Sequence, residues 1–168
     1  MRNTLSFTLI LAVFTLITAC GPSKEQARTY NDAITSEQVR VMEKFDALFA
    51  AFKNFEDMVA LDAAYSETQK AVEDAAAHIR EMADFDGKTY FRDAGVELMG
   101  TYKSVLDNEF RQMIDIYKLP EEAYTLEKKE EWAKLQEEAV RKMDEALEKI
   151  KATQETFARE YGYISDLN

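Results

Sequence analysis

Apolar residues recur at alternating steps of three and four along almost the whole chain after Ser23, and that recurrence admits long helices and little else. The first run reads Asn31, Ile34, Gln38, Val41, Phe45, Leu48, Phe52, Phe55. A second reads Leu61, Tyr65, Thr68, Val72, Ala75, Ile79, Met82. The third, Phe91, Ala94, Leu98, Thr101, Val105, Asn108, Gln112, is widened by Tyr102, Leu106, Phe110, Met113 and Tyr117. The fourth is Trp132, Leu135, Ala139, Met143, Ala146, Ile150, Thr153, Phe157, Tyr161. Only five glycines and two prolines stand in 168 residues, so little in the backbone competes with helix inside these runs.

Punctuation between the runs agrees with them. Ser23 and Gln26 have the spacing of a capping box, so the first helix begins near Ser23. Asp86-Gly87 marks a turn after a second helix over about 57–83. The third helix ends before Leu119-Pro120, because the residue ahead of a proline leaves helical space. A short helix or bend is expected over Pro120 to Lys128, with the main fourth helix after it, and Gly162 suits the position just past a helix end. The expectation is an all-α chain: an antiparallel up-down-up-down four-helix bundle over residues 24–168, roughly 40–50 Å long at 1.5 Å per residue.

The chain opens with a short positive segment, Met1-Arg2-Asn3-Thr4, and then Leu5 to Ile17, an apolar run too short to span a bilayer as a helix. That pattern is a signal peptide, residues 1–19. Its end, Ile17-Thr18-Ala19-Cys20, resembles the bacterial lipobox, and the resemblance implies a diacylglyceryl thioether on Cys20 with cleavage after Ala19. Residues 20–23 would then be the lipidated Cys and a very short tether. Several acyl chains on one residue, at about 0.8 kcal/mol per buried methylene, make such an anchor effectively permanent. The alternative, a plain secretory signal, would leave Cys20 as a lone reactive thiol. With Cys20 acylated no other cysteine remains, and the fold stands on packing alone. Gly21 rather than Asp follows Cys20, which favours the outer membrane, on its periplasmic or surface face.

The segment ahead of Cys20 holds one basic residue, Arg2, and no acid, so the remainder carries 20 basic against 32 acidic groups, net −12. An acidic surface argues against nucleic acid and against adhesion to anionic head groups, both of which need clustered Lys and Arg. Membrane contact falls to the acyl chains on Cys20.

Three stretches, "YNDAITSEQ" (Tyr30 to Gln38), "FDGKTYFRDAGVELMGTYKSVLDNEF" (Phe85 to Phe110) and "FAREYG" (Phe157 to Gly162), resemble a group of small helical bacterial surface lipoproteins with no assigned activity. The resemblance implies fold and location and carries over no catalytic residue.

Chemistry-bearing constellations are sparse. His78 is the one histidine, and Ala75 stands three residues before it, so the Glu-x-x-His pairs of a di-iron bundle are absent. Neither a Cys-x-x-Cys-His haem motif nor a Gly-rich phosphate loop nor a Gly-x-Ser-x-Gly elbow is present. A hairpin of the first two helices would put His78 level with Asn31 and Asp32, and the third would bring Asp93 and Glu97 to that height: a candidate polar or metal cluster, or one surface histidine bonded to an acid. The row Phe45, Phe49, Phe52, Phe55 reads as core, with a ligand pocket as the alternative. Asn31, Gln38, Thr101, Asn108 and Gln112 form a polar seam that fixes helix register or lines a small cavity. Glu127, Glu130 and Glu131 with Lys128, Lys129 and Lys134 read as a solvated face with pairs such as Glu130 to Lys134, with a docking site for a basic partner as the alternative. These features point to a non-enzymatic envelope lipoprotein without a cofactor, having a structural or protein-interaction role and a protein partner in the envelope. The alternative is a periplasmic small-ligand or metal-binding sensor bundle.

Overall fold

The structure, a computed structural model, describes residues 21–54 and 57–163. Residues 1–19, Cys20 and Phe55 of the first stripe lie outside them. The described chain is helical almost throughout, with no strand among the described residues.

Helix α1 spans Lys24–Lys53 and starts as its sequence requires: the Ser23 hydroxyl accepts the Gln26 N–H at 3.2 Å while the Gln26 side chain accepts the Ser23 N–H at 2.7 Å. Helix α2, Met58–Glu81, is capped by Asp57, whose carboxylate accepts the Ala60 N–H at 2.9 Å. Beyond it Phe85 and Lys88 exchange two backbone hydrogen bonds around Asp86 and Gly87, both at positive φ (55° and 71°). That is a mirror-image two-residue turn, which Asp-Gly suits because Gly pays no steric penalty there and Asp tolerates it.

The third rod departs from a constant period. Helix α3, Tyr90–Val105, runs into a π-helical turn, Leu106–Phe110, and then into α4, Arg111–Tyr117, with right-handed dihedrals across both joints. A π turn inserts one extra residue into an α-helix. From the π turn onward the buried positions are therefore Leu106, Glu109, Phe110, Met113, Ile114 and Ile116, and Asn108 and Gln112 of the expected seam are exposed. A single-turn 3-10 helix, Glu121–Ala123, follows Pro120 and occupies the expected bend. Helix α5, Leu126–Glu160, is capped by Thr125. It closes in a Schellman motif, in which Gly162 at φ 72° lets the Gly162 and Tyr163 N–H groups reach the Arg159 and Ala158 carbonyls.

The stripes meet in one core. Ile34, Val41, Phe45 and Leu48 of α1, Leu61, Val72 and Ile79 of α2, Leu98, Tyr102 and Val105 of α3, and Ile150 and Phe157 of α5 are all buried. Cross-contacts give the order of packing. Helix α2 lies on α1, where Thr68 donates to the Lys44 carbonyl, and just past the end of α2 Tyr30 donates to the Ala83 carbonyl. It also meets the third rod, where Tyr65 donates to the Leu106 carbonyl at 3.1 Å. Helix α5 covers the third rod through Lys142 to Glu109 and Lys149 to Glu97, and touches α1 at Asn31. Gly95 permits the closest approach: a Cβ there would stand 3.1 Å from Ile79 and 3.2 Å from Ile34, so a larger residue would push α3 off both neighbours.

Candidate functional site

Each residue of the expected His78 cluster has its own partner. The His78 ring is 65% exposed, and its Nδ1 lies 3.1 Å from Glu37 Oε1, one turn further along α1 than Asp32. Burial pushes the Glu37 carboxyl up, but hydrogen bonds and charge from Arg40 and His78 outweigh it and hold the group below the ordinary range. Asp32 accepts from Asn31, Asp93 from Arg92, and Glu97 from Lys149. Among the described residues, no three His, Cys, Asp or Glu side chains converge as a metal site would need.

The polar seam reduces to one amide pair, a buried Asn31 and a half-buried partner on α5. Asn31, 5% exposed, accepts from Gln154 of α5 at 2.8 Å and donates to Asp32 at 3.1 Å. Gln154 is the partner that sequence reasoning missed. It stands one residue past Thr153 and half-buried, a boundary position the stripe count skips. The pair ties α1 to α5 at one level only, as a register device does. A second buried polar contact comes from the π turn: Glu109 accepts from Lys142 at 2.8 Å, while its other oxygen has no partner among the described residues. On the outer face of α5, Lys128 pairs with Glu131 rather than Lys134 with Glu130.

Aromatic side chains collect at both ends of the bundle. At the near end, where α1 starts, Tyr30, Phe85, Phe91, Tyr161 and Tyr163 surround Phe157 with ring centroids 4.8–6.2 Å from it where paired directly. The turn is stitched to α5 by Glu160, which accepts from Lys88 and, at 2.8 Å, from Tyr90. Those two bonds hold the Glu160 carboxyl below its ordinary range, and burial with the adjacent carboxylate pushes the Tyr90 phenol up. The three stretches quoted above for their family resemblance all contribute to this cap.

At the far end a cleft of about 460 Å³ opens between the end of α1, the end of α4 and the start of α5. Phe49, Phe52, Tyr117, Tyr124 and Trp132 line it together with Lys53 and Gln136. Phe52 meets Tyr117 and Trp132 edge-on at 5.8 and 6.1 Å. The row Phe45, Phe49, Phe52 thus splits: Phe45 is sealed in the core against Tyr102 and Phe110, whereas Phe49 and Phe52 also reach the cleft. Val59 and Leu126, 80% and 73% exposed, lie in the first turns of α2 and α5, at the same end. No protein family, curated protein or solved structure matches the chain.

Proposed function

We propose that the chain is a lipid-anchored lipoprotein of a bacterial envelope, most consistent with the outer membrane, that works through contact with another envelope protein rather than by catalysis. On this reading it is an antiparallel up-down-up-down four-helix bundle whose near end rests at the membrane. The observation that carries it is the capping box at Ser23, which starts a 30-residue helix three residues after Cys20. Three residues reach at most about 10 Å, so acyl chains on Cys20 would hold the aromatic cap close to the head groups. Helix α1 would then carry the cleft about 45 Å away from them. No helix of the described residues is long and apolar enough to cross a membrane, and in this arrangement attachment rests on Cys20. The resemblance to small helical surface lipoproteins points the same way.

Metabolic labelling with a palmitate analogue, followed by fractionation, tests it. The protein should take up label and sediment with membranes, and Cys20→Ser should lose the label and accumulate as the longer precursor. A Cys20→Ser protein processed and membrane-bound like wild type would overturn the anchor.

A further inference from the structure

The far cleft has an unusual lining for this molecule. The whole chain carries a formal charge of −11, and its cations are mostly consumed in ion pairs. Yet the one charged side chain among the described residues lining the cleft is a lysine, Lys53, and it has no ion-pair partner among the described residues. Lys129 adds a second cation at the rim, its Nζ 5.4 Å from the Tyr124 ring centroid.

The other polar groups in the wall are donors as well. The Trp132 indole N–H, the Gln136 amide and the Tyr124 hydroxyl make no hydrogen bond to the described residues. Indole and ammonium groups can only donate, and amide and phenol groups can do so. Five aromatic side chains supply the rest of the surface, and rings favour the edge-to-face and offset contacts that a planar guest offers. A volume of about 460 Å³ lies within the range of small-molecule sites, which are mostly apolar with a few convergent polar groups.

We propose that this cleft binds a planar aromatic anion, an aryl or indolyl carboxylate of one or two rings. The rings lie among Phe52, Tyr117, Tyr124 and Trp132, and the carboxylate lies on Lys53 with the neighbouring donors. Binding here is independent of how the protein is attached to a membrane, because every described residue lining the cleft belongs to α1, α4, α5 or the segment joining α4 to α5.

Trp132 is the only tryptophan, so it reports the cleft without interference from elsewhere. The full chain in non-ionic detergent, grown with 5-fluorotryptophan, should give one fluorine resonance, which is followed at pH 7 against 2-naphthoate and its neutral twin 2-naphthamide. The acid should move that resonance saturably and bind at least tenfold more tightly than the amide. Lys53→Gln should reduce the acid to the affinity of the amide, and Lys53→Arg should keep most of the preference. Lys149→Gln, which alters a pair with Glu97 elsewhere on the bundle, should change neither. A shift linear in ligand, equal affinity for acid and amide, or an acid preference that survives Lys53→Gln would overturn the proposal.

Discussion

Deleting Asn108 should leave the bundle folded, although losing a residue from mid-helix ordinarily turns everything after it by about 100°. The reason is the π turn. One line of buried positions along the third rod runs Leu98, Tyr102, Val105, Phe110, Met113, with half-buried Tyr117 next, its steps four, three, five, three and four, while Leu106 and Glu109, also buried, lie inside the long step. Removing one residue from the long step restores four and three throughout, and the turn becomes α-helical with both flanking faces still in the core. Asn108 is exposed, and its side chain bonds only to Ser104, so little else is lost. The expected change in stability is within about 2 kcal/mol, or about 4–8 °C in melting temperature for a chain of this size. Deleting exposed Glu137 from α5 gives the contrast, since no spare residue exists there. Met143, Ile150 and Phe157 would rotate away from the core, at a combined cost of roughly 7–15 kcal/mol, comparable to the entire stability of a domain. Thermal melts followed by circular dichroism at 222 nm separate the two. If loss of Asn108 proves as damaging as loss of Glu137, the π turn is not a one-residue insertion and the account of this rod fails.

Phe45→Ala should cost about 3–5 kcal/mol, because the ring is fully buried against Tyr102 and Phe110. Urea unfolding measures it, and a loss below about 1 kcal/mol would place Phe45 outside the core. Glu160→Gln tests the near-end cap by pH. Lys88 and Tyr90 hold the folded-state Glu160 carboxyl below its ordinary value of 4.5, so its contribution is fully present above that value and is lost as pH falls through the lowered one. The melting-temperature gap between wild type and Glu160→Gln should be fully open at pH 7 and should narrow as pH falls below the ordinary carboxyl value of 4.5. A gap that does not change with pH below 4.5 would show that the carboxylate contributes nothing through its ionised form.

Local signals in the sequence carried most of the architecture. Ser23 with Gln26, Asp86-Gly87, Pro120 and Gly162 each act within a few residues of themselves, and each sits where its chemistry requires. The third rod was harder, because a constant period extrapolates Val105 to Asn108 and Gln112. The five-residue step to Phe110 was the visible trace of the extra residue, hidden by the apolar residues on both sides of it. His78 was placed opposite Asp32 by counting from the turn, yet its partner Glu37 lies a turn away, since equal counts from a turn do not fix the exact register of two packed helices. Of the far cleft only the α1 wall was legible, as the pocket alternative for the row through Phe49 and Phe52. Its walls come from positions 49 to 136, and only tertiary packing of helix ends brings them together.

The Schellman motif at Gly162 sets α5's last turn against α1's first, so close that a Cβ on Gly162 would stand 3.3 Å from Lys24. Strands of rope joined this way respond differently to load according to direction. A force parting Ser23 from Tyr163 would peel neighbouring helices apart one layer at a time, from a single edge. A force running from Ser23 to the tip around Trp132 would load every interhelical contact in parallel, as shear. The bundle is therefore mechanically anisotropic: weak where the start of α1 parts from the end of α5, and strong along the line from Ser23 to the far tip.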